Sequence, residues 1–386
     1  MSKKKLIRIT TVPISLDKLL SGQLNYMTMF YEVIAVSSEK KYLEQVGENE
    51  KVSVFHLEMT RKITPLKDFF AILKLYFFLR KEQPQIIHSH TPKAGLVAMV
   101  AAKLARVPIR LHTVAGLPLM EAKGMKRKIL VWVEKMIYFC ATRVYPNSEG
   151  LHDFILNEGF CSKEKIKVIG KGSSNGINTR HFCLEKIDIL HQQVLKDKLK
   201  IGSEDFVFIF VGRLVTDKGI NELIQAFKKI HTFFQNAKLL LVGPYETELD
   251  PLQKETVLEI ENNTAIIHVG YQPDVRPYFA ISNVLVFPSY REGFPNVVMQ
   301  AGAMELPCIV TDINGCNEII MSDYNGLIIP VKNANAIFEG MKLFLEDTLY
   351  YQKLKLHARK KIVENYEQET VWKAVLDEYK KQENNV

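Results

Sequence analysis

The sequence contains no Asp-x-Asp pair, no Cys-x-x-Cys pair, and no Gly-x-Gly-x-x-Gly following its first predicted strand. It also has no apolar run approaching the roughly 18 residues of a membrane-spanning helix. Each absence excludes something. Without an Asp-x-Asp, a metal held on clustered carboxylates is not indicated. The five cysteines, Cys140, Cys161, Cys183, Cys308 and Cys316, are scattered without zinc-ligand spacing and suit a reducing cytosol. The missing glycine fingerprint argues against a dinucleotide dehydrogenase. Internal repeats and low-complexity segments are absent too.

What is present is a chain of 386 residues, long enough for two ordinary domains, with 47% hydrophobic and 24% charged residues. Lys3, Lys4 and Lys5 precede the apolar stretch 6–14, but Arg8 and Pro13 interrupt it. A first β-strand is expected there rather than an export signal. The net charge of +8 is unevenly spread. Residues 1–187 carry 30 Lys+Arg against 16 Asp+Glu, whereas 188–386 carry 21 against 27. A basic half suggests an anionic partner: a membrane surface or a pyrophosphate-bearing lipid. Nucleic acid is not expected, because no recognition motif accompanies the charge.

Strand-like and helix-like stretches alternate throughout, which predicts an α/β fold of parallel sheets covered by helices. In the first half, strands are expected at 6–11, 31–37, 52–57, 86–88, 110–113 and 143–146, with helices over 65–80 and 94–105. The polar stretch 185–203 reads as a linker, dividing the chain into 1–187 and 188–386. Beyond it, strands are expected at 206–211, 237–242, 266–269, 284–288, 308–311 and 326–329, and helices at 219–232, 295–304 and from 336 onward. The reading is two doubly wound, Rossmann-like domains facing across a cleft, with the last helix packing back on the N-terminal domain. Ligands of such sheets bind at the C-terminal ends of the strands.

Two segments carry the chemistry. The first, FIFVGRLVTDKG at 208–219, runs from strand through loop to helix start. Gly212 permits a sharp turn. Arg213 and Lys218 bring two cations beside a helix N-terminus, which suits a pyrophosphate; the alternative is a pair of surface cations. The second, VFPSYREGFPNVVMQAG at 286–302, again ends a strand in a tight loop. Gly293 and Phe294 form the loop, and Pro295 suits a first helical turn. The amides of Asn296, Val297 and Val298 could hold a phosphate or a sugar hydroxyl. Glu292 is expected as an exposed carboxylate accepting sugar hydroxyls, or else as a charge favouring the helix dipole. Gln300 falls on the ligand-facing side of the helix.

In this order and separation the two segments resemble the family-4 retaining glycosyltransferases of the GT-B fold. Further matches are Val168-Ile169, Asn175-Gly176-Ile177 with Phe182, Val269-Gly270, and 311–318 with Asn325-Gly326. The resemblance implies a nucleotide-sugar donor, as substrate and not cofactor, and no metal. It implies that Arg213 and Lys218 neutralise the donor diphosphate. Glu292, with the backbone from Gly293 to Asn296, would hold the donor sugar. Gln300 departs from the family's glutamate on the nucleotide ribose. The family's His-Gly pair is also altered. Ala115 precedes Gly116, and His112 either substitutes or is a structural strand residue; His88 and His90 are weaker candidates. Gly22 matches a glycine closely approached by acceptor or diphosphate.

The wording of 90–93 and of 116–118 is similar to the PglA-like transferases that extend undecaprenyl-diphosphate-linked sugars in bacterial surface glycans. That implies a UDP-sugar, an N-acetylhexosamine, a lipid-linked or oligosaccharide acceptor, and a peripheral place on the inner membrane face. The basic and aromatic stretch 123–139 is either an interfacial helix or a core helix with a basic first turn. A hydrolysing nucleotide-sugar 2-epimerase and a non-catalytic GT-B binding subunit remain open as alternatives.

Overall fold

A computed structural model describes residues 3–60, 64–120, 122–248 and 250–385. The chain divides into two compact units, one of residues 1–175 with 369–386 and one of residues 176–368.

The first unit runs β1 (Lys5–Ile9), α1 (Pro13–Leu19), α2 (Gln23–Met27), β2 (Glu32–Ser37), α3 (Lys40–Glu50), β3 (Ser53–His56), α4 (Pro65–Glu82), β4 (Ile86–Ser89), α5 (Pro92–Leu104), β5 (Ile109–Val114), α6 (Gly124–Cys140), β6 (Arg143–Pro146) and α7 (Glu149–Asn157). The strands are all parallel in the order β3-β2-β1-β4-β5-β6. Helices cover both faces, so the central strands are apolar on both sides rather than alternating; Leu6, Ile7 and Ile9 are all fully buried. One face packs against α4, α5 and α6 through Leu75, Ala98 and Ile137. α4 and α5 each begin with a proline, whose missing amide hydrogen costs nothing at a helix start. The small residues of α5 bring that helix close to the sheet, with Gly95 against the ring of His112.

The second unit runs α8 (Ile189–Lys198), β7 (Phe206–Val211), α9 (Ile220–Phe233), β8 (Ala237–Val242), α10 (Lys254–Asn262), β9 (Ile266–His268), α11 (Arg276–Ala280), β10 (Val284–Phe287), α12 (Asn296–Ala303), β11 (Cys308–Thr311), α13 (Cys316–Ile319), β12 (Gly326–Ile329), α14 (Ala334–Glu346) and α15 (Thr348–Tyr366). Its sheet is also parallel, in the order β12-β11-β10-β7-β8-β9. This is the same winding as the first sheet. The expected linker at 185–203 contains a helix, α8. Its polarity concealed it, because it buries no residue completely and meets the core through Leu195, with Leu199 at its C-terminal cap. The expected boundary after Ile187 lies inside this unit, since Ile177, Phe182, Leu184 and Ile187 all pack on its core.

The last helix, α16 (Gln368–Glu383), belongs with the first unit, where Val375, Leu376 and Tyr379 join the core on the sheet face opposite α4–α6.

Candidate functional site

In the second unit β7 lies beside β10, with β8 and β9 on one side and β11 and β12 on the other. The winding reverses between β7 and β10. At such a switch point the loops leaving the two strands diverge and leave a crevice at their carboxyl ends. The loops in question are 212–219 and 288–295, the two segments singled out from the sequence. Gly219 makes their contact possible. Its φ is +70°, and a Cβ there would lie 2.2 Å from the carbonyl oxygen of Pro288. The amide of Tyr290 donates to the carbonyl of Asp217 at 2.8 Å, locking one loop to the other.

This contact brings Lys218 to Glu292, 74 residues apart in the chain, as an ion pair between Nζ and Oε1. The pair corrects the expectation of an exposed carboxylate. The Glu292 side chain is only 17% exposed, because loop–loop packing covers it and the Ser289 hydroxyl donates to Oε1 at 3.0 Å. Arg213 is more open and pairs with Glu246, from the loop after β8. Arg291 Nη2 reaches Asp217 Oδ2 at 3.1 Å. Glu246 and Asp217 were not singled out from the sequence. Nothing local marks Glu246, whose position depends on β8 lying beside β7.

Phe294 turns inward. It is 9% exposed, with its ring 5.4 Å from that of Tyr366, so it props the loop rather than offering a side chain to a ligand. Pro295 stands just before α12, and the amide of Val298 folds back on its carbonyl at 3.2 Å. Of the three amides expected at this helix start, those of Asn296 and Val297 therefore remain the candidates. Gln300 is half-buried further along the helix. The arrangement is three cations, Arg213, Lys218 and Arg291, each paired with a carboxylate on the loops that lead to a helix start. A diphosphate offers several charged oxygens and competes well with a single carboxylate for such donors.

The family described as Glycosyl transferases group 1 matches residues 191–361, and that described as Glycosyl transferase 4-like domain matches residues 26–172. The capsular polysaccharide biosynthesis glycosyltransferase CapM of Staphylococcus aureus is 34% identical over 382 residues, covering 98% of this chain and 97% of that protein. The chain belongs to the family-4 glycosyltransferases. The Escherichia coli UDP-Gal:alpha-D-GlcNAc-diphosphoundecaprenol alpha-1,3-galactosyltransferase is 26% identical over 340 residues, 87% of this chain and 85% of that one. Among solved structures, a glycosyltransferase from Rickettsia africae superposes with a TM-score of 0.83 at 17% identity, covering all of both chains. Anabaena Alr3699/HepE in complex with UDP-glucose does so at 0.80 and 17%, covering 98% of this chain and all of that one. The fold of this glycosyltransferase is GT-B.

In the first unit of the transferase the switch point falls between β1 and β4. Arg8 is completely buried there. It donates to His90 Nε2 at 3.1 Å, Tyr379 Oη at 2.9 Å and Gln23 Oε1 at 2.5 Å, all neutral groups. Burial lowers the pKa of Arg8 and pulls those of His88 and His90 well below the usual histidine range. Since His90 Nε2 accepts from Arg8, the proton of neutral His90 sits on Nδ1. That Nδ1, Asn147 Oδ1 and Ser174 Oγ are buried without a partner among the described residues. All three residues line a cavity of about 20 Å³, room for one water-sized group. His88 instead bridges Tyr379 and Thr113 at 2.6 and 2.7 Å.

His112 does not take part, which corrects its candidacy as a catalytic residue. It is 2% exposed, faces α5, and bonds Ser89 Oγ through Nδ1 at 2.8 Å. Burial pulls its pKa down to about 3. Strand alternation explains the difference: Thr113 points to the His88 side of the sheet, so His112 must point to the other. Gly22 is also committed within the fold. Its amide donates to Glu50 Oε1 at 2.6 Å, and a Cβ would lie 2.7 Å from the Trp372 ring.

Proposed function

We propose that this enzyme transfers a sugar, an N-acetylhexosamine, from a UDP-sugar to a glycan acceptor carried on a polyprenyl diphosphate, with retention of configuration, in bacterial capsular or related surface-glycan synthesis. The observation that carries the reading is the meeting of Lys218 and Glu292 at the switch point, with Arg213 on the neighbouring loop. The relatives support its direction: CapM is a capsular polysaccharide enzyme, and the E. coli relative uses UDP-Gal and a diphosphoundecaprenol acceptor.

In this mechanism Arg213 and Lys218 bind the donor diphosphate and stabilise the charge that grows on it as the glycosidic bond breaks. Once the diphosphate holds Lys218, the Glu292 carboxylate is released to accept hydrogen bonds from sugar hydroxyls. The amides of Asn296 and Val297 add donors at the helix start. The acceptor hydroxyl attacks from the departing face, and a donor phosphate oxygen takes its proton. Positioning and leaving-group stabilisation carry the rate.

The test is a thermal-stability panel with UDP, GDP, ADP, CDP and dTDP, followed by turnover of the UDP-sugars. A ligand at about 100 times its dissociation constant stabilises by roughly 2.7 kcal/mol. A selective UDP shift, with sugar transfer requiring a polyprenyl-diphosphate acceptor, is expected. No shift with any nucleotide overturns the proposal. Donor turnover without an acceptor turns the reading to a hydrolysing epimerase.

A further inference from the structure

Both protein contacts of the Glu292 carboxylate among the described residues fall on one oxygen. Lys218 Nζ pairs with Oε1, and the Ser289 hydroxyl donates to the same Oε1 at 3.0 Å. Ser289 lies just beyond β10 and is completely buried. A hydroxyl cut off from water must find its acceptor inside the fold. Three are in reach: Glu292 Oε1 and the Arg291 carbonyl, each at 3.0 Å, and the Asp217 carbonyl at 3.4 Å. A hydroxyl has one proton, so the three compete for it.

The backbone that carries this hydroxyl is braced from both neighbouring strands. On one side Thr311, the last residue of β11 and 1% exposed, donates through Oγ1 to the Ser289 carbonyl. On the other, the amide of Tyr290 donates to the Asp217 carbonyl on the loop after β7. Gly315 presses on the same loop further along, where a Cβ would lie 2.7 Å from Phe294 Cα and 2.8 Å from the Gly293 carbonyl oxygen. A short side chain on an anchored backbone has little freedom of its own. Glu292, by contrast, ends a side chain with three rotatable bonds, and its orientation depends on what holds its carboxylate.

We infer that Ser289 is a positioning residue for sugar transfer: its hydroxyl holds Glu292 Oε1 after the donor diphosphate has taken Lys218, leaving Oε2 to accept from the donor-sugar hydroxyls. The inference rests on the proposed role of Glu292 and names the group that acts through it. In the free enzyme Lys218 and Ser289 share one oxygen. Once Lys218 turns to the diphosphate, the carboxylate loses its cation but keeps the hydroxyl. The proton of Ser289 then goes to the carboxylate in preference to either neutral carbonyl, because hydrogen bonds to a charged acceptor are roughly twice as strong. A carboxylate fixed in this way meets the sugar without first being ordered, which is how positioning contributes to rate. The competing account is a local turn, in which the hydroxyl serves only the Arg291 carbonyl and maintains the shape of the loop.

The experiment is a cycle of Ser289→Ala, Glu292→Ala and the double variant. It is read by calorimetric affinity for UDP and for the UDP-N-acetylhexosamine that wild type turns over, and by kcat/KM for that donor. Ser289→Ala should lower kcat/KM and donor affinity roughly tenfold or more, the effect of one hydrogen bond to a charged group. Its affinity for UDP, which has no sugar for Glu292 to hold, should stay within about twofold of wild type. In the Glu292→Ala background the same change should cost nothing further, because the group it acts through is gone. Ser289→Cys nearly keeps the volume but donates only weakly, so it should behave as Ser289→Ala does and thereby separate the hydrogen bond from packing. Equal losses for UDP and UDP-sugar, losses that multiply in the double variant, or a Ser289→Cys protein as active as wild type each overturn the inference in favour of the local turn. The two readings fail in different ways. Loss at Glu292 without loss at Ser289 sinks the inference alone; a Glu292→Ala protein that handles the UDP-sugar as wild type does sinks the sugar-holding role of Glu292 and the inference with it.

Discussion

Replacing Lys218 and Glu292 one at a time should have opposite consequences for nucleotide binding, although the two are ion-paired. Lys218→Ala removes a charged donor to the diphosphate, a loss of about 1.5–3 kcal/mol, so UDP should bind roughly tenfold to a hundredfold more weakly. Glu292→Gln removes the carboxylate that competes for Lys218. UDP affinity should hold or rise, while turnover of the UDP-sugar falls because the sugar hydroxyls lose a charged acceptor. Stability separates the two roles further. Both side chains are less than one-fifth exposed, at 18% and 17%, so removing Lys218 strands a largely buried carboxylate and costs about 1–3 kcal/mol. The double variant Lys218→Ala, Glu292→Gln should recover much of that stability but not the nucleotide affinity. Isothermal titration with UDP and urea unfolding of all four proteins complete the cycle. Equal loss of UDP affinity in both single variants, or none in Lys218→Ala, would refute the assignment of roles.

Three further outcomes test other parts of the structure. Burial raises the Glu134 carboxyl to about 7 from an ordinary 4.5, although Tyr138 offsets part of the rise without completing a hydrogen bond of normal geometry. The folded state thus keeps a proton that the unfolded state releases between those values, so Glu134 erodes stability as pH rises through that window. Glu134→Gln should match wild type near pH 4.5 and exceed it by about 3 kcal/mol at pH 8, from 1.36 kcal/mol per pH unit; a pH-independent difference in urea unfolding would contradict this. Gly219→Ala should cost at least about 2 kcal/mol, because its φ of +70° and the Pro288 carbonyl leave no room for a Cβ; an unchanged urea midpoint would show that the two loops do not touch. His112→Ala should cost roughly 2–4 kcal/mol through the cavity it leaves beside Gly95, with UDP-sugar affinity preserved. Lost affinity at full stability would restore His112 to the site.

The local pattern of the chain was enough for most elements. Phe206–Val211 is an unbroken apolar run and Ala237–Val242 is interrupted only by Lys238, each followed by glycine, and short runs of that kind between helical stretches admit few readings. The loops after β7 and β10 were legible for the same reason, since glycine, proline and charge interrupt an apolar strand there. The helix α8 was not, because it rests lightly on its unit and so needs no apolar stripe.

The sequence by itself determined which residues stand at strand ends and helix starts, because those depend on backbone preferences and burial over a few neighbours. Only the tertiary structure decided which ends meet. Sheet order puts β7 beside β10 and so joins Lys218 to Glu292; the same order brings Glu246 to Arg213. Strand alternation sends His112 into the core, and the packing of α16 on the first unit covers Gly22 with Trp372. These are contacts between residues far apart in the chain. They follow from how whole sheets and helix layers bury their faces, which no local stretch of residues encodes.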